Sequence, residues 1–125
     1  MKKHILSVDD EADIRELLTE ALTMRDYRVS ATGDADEAKR IVKEDPPALV
    51  IMDFQIEEGD GFLMIQEIKK LAPNTPILLL TGAVFDKRVV RETILKMVSS
   101  YLDKTASLAE IIAEIQRLLG DPVEG

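Results

Sequence analysis

The 125-residue chain contains no cysteine, which excludes a disulfide framework and any thiolate metal site. Long apolar runs are missing too. Hydrophobic residues make up 46% of the chain, yet they occur in short blocks such as Ile77-Leu78-Leu79-Leu80, far below the roughly 20 residues of a membrane span. The basic start Met1-Lys2-Lys3 leads into an apolar stretch that stops at Asp9, too short for a secretory signal. Positive charge is scarce: 16 Lys and Arg face 24 Asp and Glu, a formal net charge of −8. A surface of that sign argues against nucleic acid as a direct partner, because phosphate binding needs a basic face. Histidine is reduced to His4, which sits inside the first apolar run and reads as structural. Repeats, low-complexity tracts and internal linkers are absent as well. These absences point to one soluble, cytoplasmic domain, long enough to bury a core without covalent or metal staples.

What is present is an alternation of short apolar runs and amphipathic helical patterns. His4 to Val8 reads as a strand, and Ile14, Leu17, Leu18, Ala21 and Leu22 then recur on one helical face. Tyr27 to Ala31 reads as a second strand. After Gly33, Asp34 and Glu37 look like a capping pair for a helix carrying Ala35, Ala38, Ile41 and Val42. Pro46-Pro47 ends that helix, and Ala48 to Met52 is a continuous apolar strand of the kind covered on both faces. A polar loop from Gln55 to Gly61 precedes a helix with Phe62, Ile65, Ile68 and Leu71. Ile77 to Leu80 reads as the fourth strand, a fourth helix is expected within residues 86–97, and Ser99 to Leu102 reads as the fifth strand. Ser107 and Glu110 then cap a helix bearing Leu108, Ile111, Ile112, Ile115, Leu118 and Leu119. Strands and helices in strict alternation predict an α/β fold, a parallel sheet with helices on both faces.

In such sheets the functional crevice lies beyond the carboxyl ends of the strands. The first strand ends in Asp9-Asp10, the third in Asp53, the fourth in Thr81, and the fifth strand region in Lys104. Singly, each has an ordinary role: Asp9 and Asp10 as helix caps, Asp53 as a turn opener, Thr81 as a loop residue, Lys104 as a surface cation. Jointly they bring three carboxylates, a hydroxyl and an ammonium to one edge. Two carboxylates about 4 Å apart repel by roughly 4 kcal/mol at an effective dielectric near 20. Such a cluster calls for a cation, and Mg²⁺ suits it, since it takes oxygen ligands and commonly joins carboxylates to phosphate. Charge compensation around a carboxylate nucleophile is also the main task in phosphoryl transfer.

Five segments carry a resemblance: Ile5-Leu6-Ser7-Val8-Asp9-Asp10-Glu11, Leu49-Val50-Ile51-Met52-Asp53, Asp60-Gly61, Pro76-Ile77 through Thr81-Gly82-Ala83, and Tyr101-Leu102-Asp103-Lys104. In this order and spacing the chain resembles the receiver domain of two-component response regulators, over about residues 3–119. The resemblance implies a flavodoxin-like (βα)5 fold with strand order 2-1-3-4-5, residues 1–120 as the receiver, and 121–125 as a tail or the start of a linker. It implies a signalling switch rather than an enzyme, in which Asp53 accepts phosphoryl from a sensor histidine kinase or a histidine phosphotransfer protein. Asp10 and Asp53 would bind Mg²⁺ (or Mn²⁺) by side chain, Asp9 largely through water, and Gln55 through its backbone carbonyl. Thr81 would be the switching hydroxyl, Lys104 the partner of the phosphate, and Tyr101 the aromatic that reports the phosphorylated state, unless it is a plain packing residue. The output partner is unspecified, and a phosphorylation-dependent dimer is admitted.

The chain departs from that pattern in places. Ile56-Glu57 replaces the usual Met-Pro after the acceptor strand, Met97-Val98 the usual Gly-Ala before strand five, and Thr105 the proline usual after the lysine. In the family that proline commonly supports a cis bond that aims the lysine inward. Gln55 and Ala83 flank the pocket in positions that bear on the lifetime of the phosphoryl group. Two other functions stand beside the switch. A phosphorylation-independent binding module would keep the fold without the chemistry. A haloacid-dehalogenase-type phosphatase would need a second Asp two residues after the nucleophile, where this chain has Gln55.

Overall fold

The computed structural model describes residues 2–53, 61–82, 92 and 95–124, apart from the side chains of Phe62 and Thr81. Its elements run β1 (His4–Val8), α1 (Ala12–Thr23), β2 (Arg28–Thr32), α2 (Ala35–Glu44), β3 (Leu49–Met52), α3 (Gly61–Leu71), β4 (Ile77–Thr81), β5 (Ser100–Asp103) and α4 (Leu108–Leu119). Most of the loop after β3 and of the helix expected within residues 86–97 lies outside the described residues; residues 92 and 95–97 are helical. The strands form one parallel sheet of order β2-β1-β3-β4-β5, as expected.

Alternation along the strands explains the layers, since successive side chains leave a strand on opposite faces. Leu6, Val8, Val50, Met52, Ile77 and Leu79 face α2 and α3, where Ala38, Val42, Ile65 and Ile68 meet them. Ile5, Leu49, Ile51, Leu78 and Leu80 face the other way, onto Leu18, Ala21 and Leu22 of α1 and Ile111, Ile112 and Ile115 of α4. Both faces are therefore covered, which is why the central strands read as continuous apolar runs. Truncating one of these fully buried Leu or Ile residues to Ala costs about 2–5 kcal/mol. Among the described residues no helix is long and apolar enough to cross a membrane.

Local chemistry sets the element ends, with some shifts from expectation. β2 begins at Arg28 rather than Tyr27, because the Tyr27 N–H is taken by Leu22 O at 3.1 Å and the ladder opens with His4↔Arg28. β5 runs one residue further than read, to Asp103, which pairs with Thr81. Asp34 caps α2, but it accepts the N–H of Asp36 rather than forming the pair with Glu37. Ser107 caps α4 by accepting the N–H of Glu110 at 3.1 Å. Leu17 and Leu71, placed on the buried faces by spacing, are 46% and 41% exposed. Each lies at the margin of an apolar stripe whose centre already fills the contact with the sheet. His4 is buried, with Nε2 2.7 Å from Ser30 Oγ, a structural role at the entry end of β1.

Past α4, Gly120 takes a left-handed φ of 73° that ends the helix, a conformation costly for a side-chain-bearing residue. The chain then turns back onto the entry end of the sheet. Asp121 accepts from Lys3 Nζ at 2.6 Å and from the Tyr27 hydroxyl at 2.7 Å, and Glu124 accepts from Arg25 at 2.9 and 3.1 Å. Burial, then the bond to the Asp121 carboxylate, pushes the Tyr27 phenol up to about 12. An acid whose pKa is raised by folding contributes stability that is intact below its unfolded pKa, near 10, and lost as pH climbs through the folded value. The melting temperature is thus expected to fall between about pH 10 and 12, and less so in Asp121→Ala. A Tyr101→Phe background leaves Tyr27 as the sole tyrosine, and its ultraviolet titration checks the origin: a midpoint near 10 with Asp121 intact would refute the bond.

Candidate functional site

Sheet register brings the expected residues together. Val8 and Met52 are paired partners, so the residues that follow them, Asp9 and Asp53, leave adjacent strands side by side. Backbone bonds fix both exits: Asp9 donates its N–H to Thr32 O and Asp53 its N–H to Val8 O, each at 3.0 Å. The Arg15 guanidinium donates to the Asp9 carbonyl. Gly33 packs closely against this loop: a Cβ there would meet the Arg15 guanidinium at 2.9 Å and Asp9 O at 3.2 Å, so a side chain would have to push both aside.

The Asp9, Asp10, Glu11 and Asp53 carboxylates gather with ligand oxygens all within 4.8 Å of one another; Asp9 and Asp53 are buried, Asp10 and Glu11 exposed. Lys104 reaches into the cluster from the end of β5. Its Nζ lies 2.5 Å from Glu11, 2.9 Å from Asp53 and 3.2 Å from Asp9. Burial alone lowers the lysine's pKa, but hydrogen bonds to Glu11 and Asp53 and the charge of Asp9 outweigh it, and the net shift is upward. Asp9 moves upward as well. Its burial dominates, and the Glu11 N–H at 2.8 Å together with Lys104 offsets only part of that. Among the described residues, the Lys104 ammonium is shared by three of the four clustered acids, Glu11, Asp53 and Asp9. The donor set is all oxygen, crowded and net negative, which fits a small hard divalent cation.

Other expected site residues fare differently. Thr81 closes β4 in register with Asp103, while its side chain lies outside the described part, and so do Gln55 and Ala83. Tyr101 pairs with Leu79 in β5 and is half-buried, packed against the core cluster on the α2 and α3 side of the sheet. Asp9 accepts the Glu11 N–H and faces Lys104 as a charge, rather than capping α1. The N-cap of α1 itself is Glu11, which makes no side-chain cap bond. Glu11 was not singled out from the sequence. Its signal was its place as the third acid of the Asp9-Asp10-Glu11 run. No cis peptide bond occurs among the described residues, so Lys104 reaches the cluster ahead of Thr105 through a trans linkage.

The doubly wound sheet with an acidic cluster at its carboxyl edge defines a flavodoxin-like α/β domain. Residues 5–116 match the model of the response regulator receiver domain. The chain is 38% identical over 121 residues to "Probable transcriptional regulator ycf27" of Cyanophora paradoxa, covering 94% of this chain and 48% of that one. It is 32% identical over 120 residues to "DNA-binding transcriptional regulator NtrC" of Bradyrhizobium sp., covering 96% of this chain and 25% of that one. It thus spans half or less of these relatives' length. The non-phosphorylated HemR receiver domain of Leptospira biflexa superposes with a TM-score of 0.84 at 26% identity, covering 99% of both chains. A CheY-like receiver from Methanospirillum hungatei JF-1 gives 0.88 at 21% identity over 96% of this chain and 95% of that one, a likeness of fold. The chain belongs to the receiver domain family of two-component response regulators.

Crowded acids carry a stability cost that a substitution exposes. With ligand oxygens no more than 4.8 Å apart, a carboxylate pair repels by about 3–4 kcal/mol at an effective dielectric near 20, and Lys104 offsets part of this. Asp53→Ala removes one acid while leaving Lys104 paired with Asp9 and Glu11. Its melting temperature in metal-free buffer is expected to rise by a few degrees, on the order of 1 kcal/mol. An unchanged or lower midpoint would mean that the acids do not strain one another.

Proposed function

We propose that the chain is a phosphoacceptor switch in which Asp53 takes a phosphoryl group from a phosphohistidine donor and thereby alters affinity for an output partner. The donor is a sensor histidine kinase or a histidine phosphotransfer protein, in the cytoplasm. The observation that supports this best is the Asp53 carboxylate beside those of Asp9 and Asp10, with Lys104 Nζ 2.9 Å away.

In the transfer, a carboxylate oxygen of Asp53 attacks phosphorus. The phosphorus–nitrogen bond to the donor imidazole breaks, its electron pair stays on nitrogen, and the phosphoryl group remains on Asp53 as a mixed anhydride. Nucleophile and incoming group are both anionic, so charge compensation decides the barrier. Lys104 contributes by turning from its carboxylate partners to a phosphoryl oxygen. Asp10 and Asp53 by side chain, Asp9 largely through water and Gln55 by its backbone carbonyl would hold Mg²⁺ or Mn²⁺, which would supply charge neutralisation at the phosphoryl oxygens. The Thr81 hydroxyl donates to a phosphoryl oxygen and moves with it, and Tyr101 in the neighbouring strand follows into more complete burial. These shifts need to bias a two-state equilibrium by only a few kcal/mol to invert its populations. The relatives' names favour an output in transcription, reached through other parts of a regulator rather than through this acidic domain.

Mg²⁺-dependent labelling by acetyl phosphate is expected in the wild type and absent in Asp53→Asn, read by intact-protein mass spectrometry. Persistent labelling of that variant would reject Asp53 as the acceptor. Beryllofluoride with Mg²⁺ is expected to shift amide resonances around Thr81 and Tyr101. Silence there would favour the phosphorylation-independent module, and multiple turnover of a phosphomonoester would favour a phosphatase.

A further inference from the structure

Lys104 lies in a short connection between β5 and the Ser107 cap of α4, and something must aim its long, flexible side chain. Asp103 does two things there. Its carbonyl accepts the Ala106 N–H at 2.9 Å, closing a turn with Lys104 and Thr105 at its centre. Its Oδ1 accepts both the Thr105 N–H and the Thr105 hydroxyl at 2.8 Å. An Asp side chain that bonds the backbone two residues on is a standard turn-locking device. Strand pairing with Thr81 anchors Asp103 on the other side. The Lys104 backbone is therefore held at both flanks while its side chain, 15% exposed, points at Asp9, Glu11 and Asp53. Asp103 itself is exposed and is not one of the four clustered acids. The N–H it uses belongs to Thr105, and a proline at that position would have none.

We propose that Asp103 is a positioning residue for Lys104: its carboxylate grips Thr105 and thereby directs the ammonium into the carboxylate cluster. The proposal rests on the phosphoacceptor reading for its kinetic consequence and on geometry alone for its effect on the cluster. With the grip removed, Lys104 samples directions away from Asp53, so the ammonium is less often available to an incoming phosphoryl group. The same change leaves Asp9 and Asp53 less compensated and raises the affinity of the cluster for a divalent cation, because ammonium and Mg²⁺ compete for the same oxygens.

Two measurements on the full chain test this. The rate of Asp53 labelling by acetyl phosphate at saturating Mg²⁺ is expected to fall about fivefold in Asp103→Ala and to stay within about twofold of wild type in Asp103→Asn, which keeps the accepting oxygen, by analogy with the loss of one fixed charge-positioning contact. Mg²⁺ affinity, followed by amide shifts of Asp10 and Asp53, is expected to rise in both Asp103→Ala and Lys104→Ala. In a Lys104→Ala background, Asp103→Ala is expected to add nothing to either readout, the mark of a residue that acts through Lys104. Wild-type behaviour of Asp103→Ala in both readouts, or the same losses without Lys104, would overturn the proposal. If the wild type takes no label, the phosphoacceptor reading fails, and the Mg²⁺ comparison still decides the role of Asp103.

Discussion

Mutual repulsion among the carboxylates at the carboxyl edge of the sheet is the constraint around which this molecule is arranged. Left alone, Asp9 and Asp53 would move apart. They do not separate, because parallel pairing of β1 with β3 sets their Cα positions and backbone bonds from Asp9 to Thr32 and from Asp53 to Val8 hold the strand exits. The rigidity behind that grip comes from strands whose both faces are filled by apolar contacts. Hydrophobic burial thus holds like charges at close quarters, and Lys104 is the local answer to the field that results. The outcome is a poised arrangement, in which a change of charge would redistribute a cation already shared among several partners.

Much of the fold was legible because the patterns were local. Continuous apolar runs such as Leu49–Met52 signal strands covered on both faces, and Ser107 with Glu110 marks the start of α4. The site was legible for a related reason. Strand ends are fixed once strands are recognised, so Asp9, Asp10, Asp53 and Lys104 could be placed at one edge without coordinates. The features that escaped are tertiary. Nothing in the spacing of α1 separates Leu17 from Leu18; only the neighbouring sheet decides that one is exposed and the other buried. Tyr27 looks like a strand residue until its N–H is seen closing the turn after α1.

The two largest gaps in the reading of the site share a cause. Glu11 was visible as part of an acidic run, yet its partnership with Lys104 joins positions 93 residues apart in sequence. The aim of Lys104 was uncertain because Thr105 stands where the resemblance leads one to expect proline. The answer lies in the side chain of its neighbour, Asp103, which is itself unremarkable in composition. A turn can be locked by a ring or by a carboxylate, and the two solutions look nothing alike as letters.

The docked segment after Gly120 has a consequence for anything joined to this domain. Asp121 and Glu124 are tied to Lys3, Tyr27 and Arg25, at the ends of β1 and β2 where those strands begin, whereas the acids stand where the strands finish. In a parallel sheet these are opposite poles, separated by strand lengths of roughly 15 Å. A tether or cargo leaving beyond residue 124 would therefore depart on the far side of the molecule from the carboxylate cluster. Any pull on such a tether falls on the chain where it enters β1 and β2, at the pole away from the carboxylates.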